Sequence, residues 1–304
     1  MANRKVCIVG VGKIAVDQHV PAIDASPDWE LAATVSRKGS VEGIPTFRDF
    51  DVLLSERPDI EVISLCLPPQ PRFQYARKAL KAGRHVMLEK PPGQTLSEVH
   101  DLQRLAEEAG VTLFATWHSR MGKGVAGAKA FLAGKEVTGG KITWKEDVRH
   151  WHPGQEWVFE PGGLGVFDPG INALSILTEI LPKPVHVTRA ELDFPDGRQT
   201  PIAARVEFSR GVTMELDWLQ TGPQTWDMEI HTTEGSAVLK FGGNELWIDG
   251  QQQPAAEIEE YPALYARMAD LVENGRSDVD LSPLTHVADA MTLGRRNVVA
   301  PFAF

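Results

Sequence analysis

Short apolar runs alternate with amphipathic helical patterns through residues 1–120. Between the runs, apolar residues recur at helical spacing at 73–80 before Gly83 and at 97–106 before Gly110, and glycine is common just after a helix. The runs, which we predict to be strands, lie at residues 6–9, 31–35, 62–67, 85–88 and 113–116. Apolar strands that alternate with helices are typical of a parallel sheet covered on both faces. The pattern predicts a doubly wound α/β domain.

The pattern changes after about Ser119. Residues 212–218 alternate strictly between apolar and polar side chains, and residues 226–231 repeat this, as expected for antiparallel strands with one buried face. Apolar helical patterns follow at 171–181 and 261–271. Hairpin turns are predicted at Glu234-Gly235, Gly242-Gly243 and Asp249-Gly250. We predict an α+β domain over residues 121–304 with a large, mostly antiparallel sheet, whose last helix could pack back on the first domain.

A glycine turn follows the first predicted strand. Gly10, Gly12 and Ala15 have the form G-x-G-x-x-A. The first glycine permits a tight turn, the second lets the backbone approach a pyrophosphate, and the small third residue lets the helix pack on the strand. This context predicts a Rossmann domain that binds a dinucleotide. Further predicted cofactor contacts are Lys13, Ile14 and Pro68.

The end of the second predicted strand bears on the choice of nicotinamide cofactor. A carboxylate there binds the ribose 2′-hydroxyl of NAD, whereas an arginine accommodates the 2′-phosphate of NADP. This chain has Ser36-Arg37-Lys38 and no carboxylate at that corner. We predict that Ser36 and Arg37 bind NADP, with NAD as the second choice. The alternative is that Arg37 is only a solvated loop residue.

Glu89-Lys90-Pro91 follows the fourth predicted strand, at the edge where open α/β sheets bind ligands. Lys90 would then lie near the nicotinamide, where an ammonium can hydrogen-bond a substrate hydroxyl and favour its deprotonation. Glu89 suits a structural role as the partner of a nearby backbone group, and it is counted with Lys90 among the predicted cofactor contacts.

Composition excludes some partners. Acidic residues outnumber basic ones by 41 to 31, which argues against nucleic acid as a partner. The N-terminus resembles no signal peptide, and no run is long enough to span a bilayer, so we expect a cytoplasmic protein without a membrane partner. Cys7 and Cys66 both lie in apolar strand patterns and are expected to be small buried hydrophobic residues rather than a disulfide.

A second motif lies far along the chain, where Gly162-Gly163 precede Asp168 and Asn172. With the glycine turn and Glu89-Lys90-Pro91, this motif resembles the glucose-fructose oxidoreductase and inositol dehydrogenase family. The resemblance covers essentially the whole chain. It implies oxidation of an aldopyranose (L-arabinose, D-galactose or D-fucose) at C1 to the 1,5-lactone, with reduction of NAD(P), and it favours a homodimer.

One position departs from the wider family, which usually has a histidine four residues after the aspartate. Here that residue is Asn172, and an amide cannot shuttle a proton at neutral pH. The departure suits the aldose 1-dehydrogenase branch, where the resemblance implies an asparagine. We assign Asp168 the role of general base, Lys90 that of electrostatic stabiliser or proton relay, and Asn172 that of a hydroxyl clamp. Because Lys90 could itself take the proton, the order of the first two stays open.

The resemblance further implies that Glu146, Trp151 and His152 bind the sugar, and it adds His118 to the substrate contacts. Carboxylate and imidazole groups can bind vicinal hydroxyls, and an aromatic ring can cover the apolar face of a pyranose. Trp151 could instead be a packed loop anchor. We expect no metal, because no H-E-x-x-H or cysteine set accompanies these residues.

Two other functions stay open. The first is a non-catalytic regulator that binds a dinucleotide and a sugar; the presence of Lys90, Asp168 and Asn172 together argues against it. The second is a reductase of another carbonyl or imine, such as a dihydrodiol or a tetrapyrrole. The polar residues Glu146, His152 and Asn172 suit a sugar better than an aromatic substrate.

Overall fold

The structure is a computed structural model that describes residues 3–304. The chain forms two compact units. The first comprises the described residues up to His118 together with Glu259–Asp280, and the second comprises Ser119–Ile258 with Leu281–Phe304. The N-terminal segment of the first unit ends at His118, two residues before the boundary predicted at residue 120. The predicted helix 261–271 lies in the other segment of the same unit. The assignment of dinucleotide binding and substrate binding to separate domains stays a prediction.

The first unit is built on a six-stranded sheet in the order β3-β2-β1-β4-β5-β6. All its pairings are parallel, which confirms the predicted Rossmann-type α/β fold. The strands are β1 Arg4–Val9, β2 Trp29–Val35, β3 Thr46–Phe47, β4 Val62–Leu65, β5 His85–Leu88 and β6 Leu113–Ala115.

Helices flank this sheet, and we number them along the whole chain. Those of the first unit are α1 Val20–Asp24, α2 Phe50–Glu56, α3 Pro69–Lys81, α4 Leu96–Ala109 and α8 Glu260–Glu273. Gly110 ends α4 in the left-handed region with φ 66°, as the glycine stop predicts. Helix α8, although late in the sequence, thus packs in the unit that contains the N-terminal sheet.

The first sheet differs from the sequence predictions at several points. Strands β1 and β2 each begin two residues earlier than predicted, and β6 ends one residue earlier. Strand β3 was not predicted, because two residues carry no readable periodicity. Strand β4 ends at Leu65, two residues earlier than predicted, so Cys66 lies just after the strand and is half-buried. Cys7 is buried inside β1 as predicted, and both cysteines are free thiols.

The second unit contains a nine-stranded sheet in the order β14-β13-β12-β11-β7-β10-β9-β8-β15. It is mostly antiparallel, as predicted, but β7 pairs with β10 and β8 with β15 in parallel. The strands are β7 Val137–Lys145, β8 Val187–Pro195, β9 Ala203–Phe208, β10 Val212–Asp217, β11 Thr225–Thr232, β12 Gly235–Lys240, β13 Glu245–Ile248, β14 Gln251–Gln252 and β15 Arg295–Val299.

Alternation along β10 is confirmed, because Val212, Met214 and Leu216 are buried while the intervening side chains are not. The helices of this unit are α5 Val125–Leu132, α6 Val148–Trp151, α7 Phe167–Ile180 and α9 Ser282–Leu293. Helix α7 begins four residues before the predicted start at 171, and α9 was not predicted. Within residues 3–304, no helix combines the length and the apolar character needed to cross a bilayer.

Candidate active site

The glycine turn follows β1 as predicted and leads into a π-helical turn, Ala15–His19. Gly10 has φ +94°, and a β-carbon there would lie 2.9 Å from Leu67 Cδ2, so the fold itself requires glycine. A β-carbon on Gly12 would meet no protein atom within 4 Å. Because protein packing does not explain Gly12, the open space beside it fits close approach of a phosphate group. Ala15 is fully buried.

The other predicted contacts near this turn are exposed. Ile14 is 39% exposed, and the Lys13 ammonium forms an ion pair with Asp17 one helical turn later. Pro68 is also exposed, three residues after the end of β4 and directly before the first residue of α3. These positions are accessible at the carboxyl edge of the sheet, where a dinucleotide would bind.

Ser36 and Arg37 begin the turn after β2. Ser36 Oγ accepts a hydrogen bond from the Gly39 amide at 3.0 Å, and a β-carbon on Gly39 would lie 2.3 Å from the Val11 carbonyl oxygen. The turn therefore packs closely on the glycine turn. Within the described residues, the exposed Arg37 guanidinium has no hydrogen-bond or ion-pair partner, so it is available to an anion such as a 2′-phosphate.

Lys90 lies two residues after the end of β5 and is half-buried before a cis Lys90–Pro91 peptide bond. The Arg72 side chain, only 2% exposed, donates to the backbone carbonyls of Leu67, Glu89 and Pro91. The Lys90 amide donates to Glu89 Oε2 at 2.9 Å. Glu89 thus accepts from a nearby backbone group, the structural role that its chemistry suggested.

A buried polar network surrounds Glu89. Its Oε1 lies 3.1 Å from His19 Nε2 and accepts from the Tyr261 hydroxyl at 2.9 Å. Burial alone would raise the pKa of the Glu89 carboxyl, but His19, with His118 and Tyr261, lowers it to about 2. Burial lowers the pKa of His19, but Cys66, Tyr265 and the hydrogen bond to Glu89 together raise it well above 6.5. This direction, with a carboxylate oxygen 3.1 Å from Nε2, favours an imidazolium beside the Glu89 carboxylate.

His118, a predicted substrate contact, lies at the end of the first unit. Its Nδ1 is 2.7 Å from Glu260 Oε2, and its ring stacks on Tyr261 with centroids 5.7 Å apart. The imidazole is thus oriented by helix α8.

In the second unit, Asp168 and Asn172 lie one turn apart in the first part of α7. Asp168 is 4% exposed, and Asn172 is half-buried with no hydrogen bond from its side-chain amide to the described residues. The glycines before the helix allow the chain to approach closely. A β-carbon on Gly163 would lie 2.5 Å from two carbonyl oxygens, and one on Gly165 would lie 2.2 Å from the Pro201 oxygen.

His152 lies beside Asp168. Its Nε2 is 3.2 Å from Asp168 Oδ2, and its Nδ1 is 3.4 Å from Gln155 Oε1. The ring also packs edge-on against Trp218, with centroids 5.4 Å apart. The structure thus brings together two residues that were predicted separately as a base and as a sugar contact.

Glu146 follows β7 and is 5% exposed. Its Oε1 accepts from Trp218 Nε1 at 3.1 Å, and its Oε2 accepts from Trp226 Nε1 at 2.9 Å. The two tryptophans come from strands on either side of β7, because Trp218 follows β10 and Trp226 lies in β11. Neutral donors from both neighbouring strands therefore orient the carboxylate.

Trp151 ends α6 and is 37% exposed. Its ring lies 5.5 Å from that of Trp226, which in turn stacks on Trp144 at 5.9 Å. An exposed indole backed by further indoles is suited to cover the apolar face of a sugar ring. Among residues 3–304, no group of three His, Cys, Asp or Glu side chains is arranged to hold a metal ion.

Sequence reasoning missed several residues that orient these groups. They are His19, Arg72, Tyr261, Trp218 and Trp226. Four of them lie far in sequence from the groups they contact, whereas Arg72 lies 17 residues from Glu89. Trp218 and Trp226 were predicted only as apolar positions of strands. The available signal was chemical: a carboxylate that follows a buried strand is itself often buried, and a buried carboxylate requires hydrogen-bond donors.

Comparison with known proteins places this site in a family. Residues 4–116 match the model of the GFO/IDH/MocA oxidoreductase family, described by its NAD-binding Rossmann fold. Galactose 1-dehydrogenase from Pseudomonas fluorescens is 42% identical over 299 residues, which is 97% of each chain. The crystal structure of a D-galactose-1-dehydrogenase from Rhizobium etli is 52% identical with a TM-score of 0.94, and the match covers 100% of this chain and 99% of that one.

More distant structures share the fold alone. A 3-ketoreductase from Actinomadura kijaniata, crystallised with NADP, is 18% identical with a TM-score of 0.80 over 98% of this chain and 100% of that one. The similarity to the Pseudomonas enzyme extends over nearly the whole chain, so the family resemblance inferred from the motifs is confirmed. The chain belongs to the GFO/IDH/MocA family of oxidoreductases, with an N-terminal Rossmann fold of the NAD(P)-binding type.

Proposed function

We propose that the protein is an NAD(P)-dependent aldose 1-dehydrogenase that oxidises D-galactose, L-arabinose and D-fucose at C1 to the 1,5-lactone. The observation that carries this proposal is the Asp168–His152 pair, 3.2 Å apart, one helical turn before the Asn172 amide. A carboxylate, an imidazole and an amide match the donors and acceptors that a polyol requires. The galactose 1-dehydrogenases of Pseudomonas and Rhizobium support the choice of sugar.

Oxidation of C1 removes a hydride from carbon and a proton from the C1 hydroxyl. A nicotinamide bound at the edge of the first sheet would supply the hydride acceptor. We assign the proton to the Asp168 carboxylate, a base that His152 orients from one side. Lys90 would stabilise negative charge that develops on the C1 oxygen, and Asn172 would hold a neighbouring hydroxyl.

The remaining sugar contacts would be Glu146, Trp151, His152 and His118. Glu146 would accept hydrogen bonds from ring hydroxyls while the two indoles hold it in place. The three sugars share their stereochemistry from C1 to C4 and differ mainly in the C5 substituent. One set of contacts to the shared hydroxyls can therefore serve all three.

We propose NADP as the preferred cofactor. Gly10, Gly12, Lys13, Ile14 and Pro68 would contact the dinucleotide at the sheet edge. The exposed Arg37, with Ser36 beside it, would bind the 2′-phosphate, and no carboxylate follows β2 to select for a free 2′-hydroxyl.

The experiment is a steady-state assay of reduced nicotinamide with NADP+ or NAD+. The sugars are L-arabinose, D-galactose, D-fucose, D-xylose and D-glucose. We expect turnover with the first three, weak turnover with the last two, and a higher kcat/KM with NADP+ than with NAD+. Tight dinucleotide binding without turnover of any sugar would overturn the proposal and favour a regulator.

A further inference from the structure

The backbone on both sides of Lys90 is held by buried side chains. Its own amide donates to Glu89 Oε2 at 2.9 Å. The Arg72 guanidinium donates to the carbonyls of Glu89 and Pro91, the residues on either side. These hydrogen bonds restrict the backbone at Lys90, from which the side chain extends, although the residue lies outside a strand.

Glu89 is in turn held through its second oxygen. Oε1 accepts from Tyr261 in helix α8 and lies 3.1 Å from His19 Nε2. His19 Nδ1 lies 2.9 Å from the Tyr265 hydroxyl, which donates to Ser64 Oγ at 3.4 Å. An imidazolium donates through both ring nitrogens, so this chain of hydrogen bonds is consistent from Ser64 to the Lys90 amide.

Stability alone does not explain such a network. A buried ion pair is often no more stabilising than apolar residues of the same volume, because both charges lose their hydration. The arrangement instead fixes the Glu89 carboxylate through His19 and Tyr261, which lie in two different helical segments. Its other oxygen, Oε2, accepts from the Lys90 amide. The imidazolium also balances the charge of Glu89, so a fixed acceptor is obtained without an unpaired buried charge.

We propose that Glu89, His19 and Tyr261 form a positioning network for Lys90, with Glu89 acting through a hydrogen bond to the Lys90 amide. This inference rests on the proposed function, in which the Lys90 ammonium stabilises charge at C1. It changes the expected role of Glu89 from a cofactor contact to a positioning residue, and it adds His19 and Tyr261 as positioning residues.

The first test compares Glu89→Ala with Glu89→Gln, whose amide oxygen can still accept from the Lys90 amide. Misplacement of a reacting group by about 1 Å can cost about 100-fold in rate, so we expect Glu89→Ala to lower kcat by at least about tenfold. KM for galactose and Kd for NADP+ should stay within about threefold of the wild-type values, since neither pocket loses a contact. Glu89→Gln keeps an acceptor for the Lys90 amide but turns its NH2 group towards the His19 and Tyr261 donors, so its kcat should lie between those of Glu89→Ala and the wild type.

Thr34→Val is the matched control. The Thr34 side chain is buried in β2 and its hydroxyl lies 2.9 Å from that of Thr46, so this variant also loses a hydrogen bond in the first unit but touches no residue of the network. Its kcat should equal that of the wild type. If Glu89→Ala does not fold, Tyr261→Phe serves as the test variant instead. It removes only the hydroxyl that donates to Glu89, and kcat should fall by about threefold. Equal kcat in the network variants and the control, or an equal loss in Glu89→Gln and Glu89→Ala, would overturn the inference.

A second test requires no turnover. Hydrogen exchange of the Lys90 amide, followed by mass spectrometry of overlapping peptides, should be slow in wild type and Thr34→Val. In the Glu89→Ala or Tyr261→Phe protein it should be at least about tenfold faster, while strand β5 keeps its protection. Unchanged exchange would overturn the positioning role. If wild-type protein turned over no sugar, the proposed function would fail, and this measurement would still decide the positioning of Lys90.

Discussion

The two units both bury carboxylates but satisfy them differently. In the first unit, Glu89 is matched by the His19 cation, a tyrosine hydroxyl and a backbone amide. In the second unit, Glu146 accepts from two indole N–H groups, which cannot ionise. A carboxylate that is paired with a cation can support the backbone, whereas the indole donors hold the Glu146 carboxylate in one orientation. We expect a supporting role for Glu89 and, under the proposed function, direct contact with the sugar for Glu146.

The sharpest way to test this contrast is Asp168→Asn in the second unit. A general base contributes about 10²–10⁴-fold to rate, so kcat should fall by a factor in that range. Steady-state assays with D-galactose and NADP+ measure the change. Asp193→Asn, which alters a half-buried carboxylate on β8, three strands from β7 in the sheet, is the control and should leave kcat unchanged. A fall in kcat of less than about tenfold in Asp168→Asn would show that Asp168 is not the general base and would favour Lys90 in that role.

Trp226→Phe tests the neutral donors. The variant keeps an aromatic ring but removes the hydrogen bond to Glu146 Oε2. Loss of a buried partner of a charged group costs about 1–3 kcal/mol, which should appear as an increase in KM for galactose and a lower melting temperature. Phe241→Leu, a change at an exposed apolar residue of the same unit, should alter neither quantity. An unchanged KM would mean that Glu146 needs no indole to bind the sugar.

Arg37→Ala should weaken binding of NADP+ without changing the binding of the sugar. Loss of the guanidinium should raise KM for NADP+ by about tenfold and leave KM for NAD+ and galactose within about twofold, since only the 2′-phosphate distinguishes the cofactors. Arg77→Ala removes a similarly exposed arginine from α3 and should change none of these values. Equal effects on both nucleotides would exclude Arg37 as the 2′-phosphate contact.

The smallest expected effect is on stability as a function of pH. Glu89 has a pKa of about 2 in the folded protein and about 4.3 when unfolded. Its stabilising contribution is therefore present above about pH 4.3 and is lost as pH falls towards about 2, with a slope of at most about 1.4 kcal/mol per pH unit. The raised pKa of His19 acts in the opposite sense, because its contribution is complete below about pH 6.5 and is lost as pH rises through the folded value.

Urea midpoints of wild type and Glu89→Gln, measured between about pH 3 and pH 7, would reveal the Glu89 contribution. The midpoint should fall more steeply with acid in wild type than in the variant, because the variant has no carboxyl at this position. Parallel curves would show that Glu89 is not held ionised by His19 and would weaken the contrast between the two units.

The fold could be predicted largely from the sequence because its signals are local. Strand β1 could be predicted from a continuous apolar run, because both of its faces are buried. Strand β10 could be predicted from apolar–polar alternation, because alternate residues face the core. The two-residue β3 and helix α9 gave no such signal. The parallel pairing of β7 with β10 was also missed, because periodicity identifies a strand without identifying its neighbour.

The candidate site divides in a similar way. Residues inside compact motifs, such as Gly12, Lys90 and Asp168, could be selected from sequence because spacing and residue type limit their chemistry. The residues that orient them could not be selected in this way. His19 lies 70 residues from Glu89, and Tyr261 lies 172 residues from it. Contacts at such separations depend on which elements pack together, which no local pattern specifies.

The most direct test of C1 oxidation is the transfer of deuterium from D-galactose labelled at C1. Mass spectrometry of the nicotinamide after turnover should find one deuterium in the reduced cofactor for each lactone formed, because the hydride leaves the labelled carbon. Reduced cofactor without deuterium would place the oxidation at another carbon, and the absence of reduced cofactor would contradict the dehydrogenase itself.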